Sequence, residues 1–236
     1  YEPLCDLFII PESGEKISLF GLRDSWSDRI YKMRPCDDYV RQLDIDNGVH
    51  KVSYMAKEAC CERESFISYP DNVMVIKNSG EKISVVIERS VYMDSLRKID
   101  ENTLCMEGQA GADGAKYCFC VRAVKGSLGI IGRTLFCDED SVLLAATQTS
   151  FYCENPFEAA VGILDSAEEK GFEKLKERHI ADFSEIMNRC KLNIDCPPKN
   201  NIPTDSRLKA IQSGKEDIGL VNLSFSYGRY LLAASS

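Results

Sequence analysis

Three groups of residues in this 236-residue chain have the types and spacing to do chemistry. The first is sulfur. There are 11 cysteines, an odd number; Cys60 and Cys61 are adjacent, and Cys118-Phe119-Cys120 would turn two thiols to one face of a strand. A metal or redox site is one reading of that pattern. Against it, no CxxC is matched by a second CxxC or an HxxxH, and the chain has only two histidines. Cysteines scattered over core positions behave as small hydrophobes, so the sequence predicts structural free thiols, no metal, no cofactor and a reducing, cytoplasmic compartment. The second group is His179 with Asp182, one helical turn apart, which could hydrogen-bond and polarise a ligand or water. A half-buried histidine bracing a helix against a sheet is the commoner use of such a residue, and it is the one expected. The third is Trp26, the only tryptophan, with Asp28 and Arg29 in the charged stretch Gly21 to Pro35. An aromatic face there suits the apolar face of a pyranose; folding back to cap the sandwich is the commoner use of such a residue.

Other chemistries find no support. There is no GxGxxG after a strand and no GxxxxGK[ST], hence no phosphate cradle. Gly108, Gly111 and Gly114 precede an alternating strand rather than a helix, so no helix N-terminus is offered to an anion. Neither GxSxG nor HExxH occurs. A net charge of -8 with no Lys/Arg cluster argues against nucleic acid as a partner. No signal peptide is visible at YEPLCDLFII, although the start looks cut, and no stretch reads as a membrane span.

The elements that must position these residues fall into three parts. Residues 1–150 read as β-structure, with apolar runs at Leu7–Ile10, Ile17–Phe20, Tyr39–Ile45, Val49–Met55, Glu64–Tyr69, Val73–Lys77, Ile83–Ile87, Asn102–Met106, Lys116–Val124, Gly129–Phe136 and Ser141–Thr147. Asp46-Asn47-Gly48 and Asn78-Ser79-Gly80 are hairpin signals. Together they predict a large antiparallel β-sandwich. Residues 151–203 change character and form a helical linker. Asn155 caps a helix with Pro156 at its first position, Gly171 closes it, and a second helix runs from about Phe172 to Cys190. Lys191 to Asp195 reads as a last short strand, and Cys196 to Pro203 as a Pro- and Asn-rich connector. From 204 on, Thr204 caps a short helix through Ala210. The run from Ile218 to Ala233 is apolar nearly all round, which demands burial on every side. It reads as the first core helix of a further, truncated domain. Arg229 in that helix is expected to find a carboxylate or several carbonyls.

The runs YEPLCDLFI, YVRQLDIDNGVHKVSY, EGQAGADGAKYCFCVRAV, DSVLLAATQTSF, RHIADFSEIMNRCKLNID, PTDSRL and YGRYLLAASS, in that order, resemble the N-terminal region of family 95 glycoside hydrolases, the α-L-fucosidases. The resemblance implies an N-terminal supersandwich, a helical linker and then the opening of an (α/α)6 barrel, which is the missing catalytic part of the same chain. It implies a fucosylated oligosaccharide or glycan as the substrate of the whole enzyme. It also implies inverting hydrolysis, in which a Glu donates a proton while a carboxylate, helped by Asn side chains, activates water. Two carboxyl groups roughly 6.5–9.5 Å apart serve that scheme. None of those family positions falls within residues 1–236, so this stretch is expected to be inactive alone. Cys5, where the family more often has Gly, and Cys118 and Cys120 depart from its pattern. Trp26, Asp28 and Arg29 are the expected substrate-proximal residues. His179, Asp182, Arg189, Arg207 and Arg229 are expected to form a charged seam joining sandwich, linker and barrel. The alternatives are a carbohydrate-binding module working through the Trp26 loop and part of a disaccharide phosphorylase of related architecture.

Overall fold

A computed structural model describes residues 4–12, 36–56, 58–89, 91–196 and 202–235. Ten strands precede three helices: β1 (Asp6–Pro11), β2 (Asp37–Asp44), β3 (Val49–Ala56), β4 (Ala59–Ser68), β5 (Val73–Ser79), β6 (Ile83–Glu88), β7 (Met93–Lys98), β8 (Thr103–Gln109), β9 (Lys116–Ile131), β10 (Thr134–Thr149), α1 (Pro156–Asn188), α2 (Thr204–Gln212) and α3 (Gly219–Ala234). The strands pair antiparallel in the order β2-β3-β4-β5-β10-β9-β8-β7, and β6 joins β1 to β10. The fold is therefore mainly β with helices following, as the sequence predicts.

The long hairpin β9–β10 is the spine. Alternate residues of β10 feed two cores, because successive strand side chains point to opposite faces. Leu144 and Ala146 enter the core beneath α1, with Val75, Phe66, Leu164 and Leu175. Leu143, Ala145 and Leu135 enter a second core shared with Ile83, Val85, Ile87, Leu104 and Met106. The second core closes because the sheet bends back on itself. Asn78 lies opposite Ser141, at the upper half of β10, whereas Ile83 lies opposite Cys137, at its lower half. β5 and β6 thus lie end to end along one edge of β10 and turn a corner together. Between Cys137 and Val142 the register of β10 against β9 shifts, which lets the spine bend at the same level.

This corrects the hairpin expected at Asn78-Ser79-Gly80, since β5 and β6 do not pair with each other. The glycine is still required. Gly80 has φ +93, and a Cβ there would fall 2.2 Å from the Cys60 carbonyl oxygen. Asp46-Asn47-Gly48 does make its hairpin, between β2 and β3. The strand expected over Gly129–Phe136 is split by the turn at Gly132-Arg133, and β7 was not foreseen because its sequence, MDSLRK, is mostly polar.

Asn155 caps α1 by accepting from the Glu158 N–H, with Pro156 at the first position, as expected. Gly171 (φ 74, ψ 165) breaks the helical backbone, so α1 is two helices that meet at a kink there, as expected. α2 is capped at Pro203 and has no side-chain cap, so Thr204 is its first residue and not its cap. Lys191–Asp195 is not a strand; Asn222 of α3 pins it by bonding both the N–H and the carbonyl of Ile194. Among the described residues no helix is long and apolar enough to cross a membrane.

Candidate functional site

The residues with chemical potential that the fold brings together sit where β3–β5, α1 and α3 meet. There a cleft of about 330 Å³ is lined by His50, Ser65, Phe66, Tyr69, His179 and Tyr230, among others. Both histidines of the chain face it. An aromatic ladder forms its wall: Phe66 stacks on His179 (4.9 Å between centroids), His179 meets Phe183 (5.8 Å), and Phe183 meets Tyr230 of α3 (5.7 Å).

Both histidines carry structural hydrogen bonds. His179 is 3% exposed and its Nε2 lies 3.1 Å from the Gly48 carbonyl. A carbonyl only accepts, so Nε2 carries the proton. Burial holds this imidazole below its usual pKa, against the opposing effect of that hydrogen bond and of the Asp182 charge. His179 makes no hydrogen bond to Asp182, so the expected pair is only a distant charge interaction; bracing a helix against a sheet is what His179 does. Its fit depends on the hairpin turn, where Gly48 (φ +66) brings its Cα so close that a Cβ would lie 3.0 Å from Phe183. His50 accepts from the Arg41 Nε at 3.1 Å, which leaves its Nδ1 to donate towards Ser65 Oγ at 3.4 Å. Burial, then Arg41 and Arg63, lower its pKa as well.

The remaining residues expected in a charged seam lie at separate joints. Arg229 reaches from α3 to the C-terminal end of α1 and donates to the carbonyls of Met187 (2.7 Å), Ile186 (2.9 Å) and Cys190. The expected ring of carbonyls is there, and the cation sits where the helix dipole favours it. Arg207 is 8% exposed and makes a two-pronged pair with Asp217 (2.9 and 3.0 Å), tying α2 to the start of α3. Among the described residues Arg189 pairs with Glu185, on the exposed side of α1. Trp26, Asp28 and Arg29 lie outside the described residues.

Two joints escaped the sequence reading. Asp71, in the β4–β5 turn, is almost fully buried and accepts from Ser68 (2.8 Å) and Arg178 (3.0 Å), with Lys170 at 3.6 Å. Burial alone would raise its pKa, but the hydrogen bonds from Ser68 and Arg178 and the two cations outweigh that and lower it. Arg122 of β9 binds Asp165 (2.7 Å) and Glu168 (2.9 Å) of α1. Tyr-Pro-Asp-Asn at 69–72 has turn chemistry that the sequence reading did not single out, and nothing in the chain announces that a helix about a hundred residues later meets it.

The sequence of α3 asks for cover on all sides; among the described residues only Leu220 of this helix is buried, while Ile218, just before it, and Val221, Leu231 and Leu232 are 48–71% exposed. One side rests on α1 and the rest faces outward. The expectation of free thiols throughout is corrected at one pair, since Cys105 is bonded to Cys120.

Comparison with known proteins extends these observations. Residues 24–154 match the family described as glycosyl hydrolase family 65, N-terminal domain, and residues 171–236 match the glycosyl hydrolase family 95 catalytic domain. The chain is 27% identical over 228 residues to a protein of Aspergillus niger named probable alpha-fucosidase A, covering 85% of this chain and 29% of that one. It is 25% identical over 246 residues to alpha-L-fucosidase 2 of Arabidopsis thaliana, covering 84% and 29%. The chain thus spans about three tenths of the length of these relatives. A solved human-microbiome structure described as a candidate kojibiose phosphorylase aligns with a TM-score of 0.45 at 12% identity, over 63% of this chain and 23% of that one. That likeness is too distant to carry an argument.

Proposed function

Because the chain belongs, through residues 24–154, to the family of glycosyl hydrolase family 65 N-terminal domains and runs on into a family 95 catalytic-domain match, we propose that it is the N-terminal part of a glycoside hydrolase that removes terminal α-L-fucose from glycans. Its sandwich, residues 1–150, covers one face of a catalytic barrel through a helical linker, and α3 is the first helix of that barrel. The observation that carries this reading is the position of the catalytic-domain match. It begins at Gly171, the kink in α1, and takes in α3, whose outward face is still apolar. A surface of that kind is a buried surface in the complete domain.

Within this reading the cleft is structural. Hydrolysis of a glycoside with inversion needs one protonated carboxyl group and one carboxylate that holds a water. The two histidines of the cleft are committed to Gly48 and to Arg41 and Ser65, and the buried carboxylates Asp71 and Asp217 are held by arginines. The chain's own residues position the barrel, and the chemistry falls to carboxyl groups outside residues 1–236.

The test compares the 236-residue chain with the full-length protein on a 2'-fucosyl oligosaccharide. The full-length protein is expected to release free fucose and the short chain to release none. Turnover by the short chain would place the chemistry here after all. Sugar phosphate in place of free fucose, with inorganic phosphate present, would make the whole protein a phosphorylase.

A further inference from the structure

Three cysteines that the sequence treats as core filler converge at one point. Cys105 on β8 stands directly across from Cys120 on β9, and Cys118 lies two residues before Cys120 on the same face. The three Sγ atoms lie within 4.8 Å of one another. Cys118 is 3.5 Å from Cys105 and 3.5 Å from Cys120, and those two are bonded to each other. All three are fully buried beneath α1. Among the described residues no His, Asp or Glu joins the group.

Two uses of the third sulfur can be told apart by position. Thiol–disulfide exchange proceeds by attack of a thiolate on one sulfur of the bond, and displacement requires the attacker to lie in line with the bond that breaks. Cys118 is equidistant from both bonded sulfurs, so it lies beside that bond and not along its extension. Exchange is therefore disfavoured. Three sulfurs at the corners of a triangle are instead a ready face for a soft ion. Thiolates select copper(I), zinc or iron–sulfur clusters. Zinc sites close with four ligands, and only three are present, in a dry apolar setting.

We propose that, once the Cys105–Cys120 bond is reduced, Cys105, Cys118 and Cys120 hold one soft monovalent cation of the copper(I) class in three-sulfur coordination. The reductant is a cellular thiol of the glutathione class. Two of its thiols join as a disulfide and pass two electrons and two protons to Sγ of Cys105 and Cys120. Binding then displaces the Sγ–H protons of the three ligating thiols, which leave to solvent. Metal and disulfide exclude each other at this centre. The approach is from β7, the neighbouring edge strand, where Arg97 pairs across from Cys105 and its guanidinium lies over the Phe157 ring at 4.6 Å.

The test is an oxygen-free titration of the reduced full-length protein with copper(I) against bicinchoninate. One copper per chain is expected to resist the competitor. Cys118→Ser should lower that affinity by more than the roughly 10–100-fold typical of outer-shell changes, while Cys36→Ser and Cys190→Ser, at exposed thiols, should leave it unchanged. X-ray absorption should show three sulfur neighbours. Should Cys118→Ser fail to fold, the unaltered protein still decides: oxidation to the Cys105–Cys120 disulfide before titration should abolish this uptake. Equal copper binding by oxidised and reduced protein, a Cys118→Ser curve that overlays the parent, or a shell of only two sulfurs would overturn the proposal.

Discussion

Replacing Arg229 by methionine removes the cation that holds α3 to the end of α1 while keeping most of the side-chain volume. The guanidinium donates to the carbonyls of Met187, Ile186 and Cys190. The first two carbonyls belong to the last turn of α1, where a helix leaves its final C=O groups short of partners, and Cys190 follows just after it. Hydrogen bonds to a charged group are worth about 1.5–3 kcal/mol each when fully sheltered. Here the pocket is half open, Ile186 and Cys190 are exposed, and water can replace part of what is lost. Loss of the favourable charge–dipole interaction adds about 0.3–1 kcal/mol. The sum is a destabilisation of about 2 kcal/mol, or a fall in Tm of about 4–8 °C for a chain of this size. Thermal unfolding followed by circular dichroism reads the total. Hydrogen exchange reads its location, with the amides of α3 losing protection before those of β9 and β10. Arg229→Lys should recover part of the loss, because an ammonium reaches fewer carbonyls at once. Arg189→Ala is the control, since its partner Glu185 lies on the exposed side of the same helix and surface pairs contribute about 0–1 kcal/mol. If Arg229→Met and Arg189→Ala unfold within about 0.5 kcal/mol of each other, the capping role argued for Arg229 is wrong.

His179 is held below its usual pKa in the folded chain, so the unfolded chain binds more protons at mildly acid pH. Stability should be full above about pH 6.5 and fall as pH drops below it; His179→Gln in a His50→Gln background should flatten that slope in urea melts. Asp71 behaves in the same sense at lower pH: its folded pKa is lowered, so its contribution is present above about pH 4 and disappears below. Asp71→Asn should therefore cost about 1–3 kcal/mol at pH 7, discounted for the partial exposure of Arg178, and progressively less as the pH falls below about 4. Gly80→Ala should cost at least about 3 kcal/mol or prevent folding, because φ +93 and a Cβ 2.2 Å from the Cys60 carbonyl both oppose it. Gly162→Ala, in open space on α1, should be neutral or stabilise by up to about 1 kcal/mol in the same denaturation assay.

Much of this fold was legible in the chain because its signals are local. The strand from Val73 follows from an apolar run bounded by turn residues, and the start of α1 follows from Asn155, Pro156 and apolar spacing that repeats every helical turn. Arg229 could be assigned a ring of acceptors because a guanidinium in an apolar helix has few other options. The misses are of two kinds. β7 lacks an apolar pattern because, as an edge strand, it buries little, so periodicity had nothing to detect. The β5–β6 corner has the turn chemistry of a hairpin, and only the bend in β10 decides that the next strand continues forward and does not fold back.

Sequence by itself determined the order of elements, the long β-rich part followed by helices, the kink at Gly171 and the apolar character of α3. Each of these depends on residues within one turn or one strand of each other. Only the tertiary structure decided which distant residues meet: Asp71 with Arg178, Gly48 with His179, Arg122 with Asp165 and Glu168, and the sulfurs of Cys105, Cys118 and Cys120 in one triangle. Such meetings depend on the register of paired strands and on how a helix lies across them, and a shift of one residue would turn the strand residues among them, Arg122 and the three cysteines, to the opposite face.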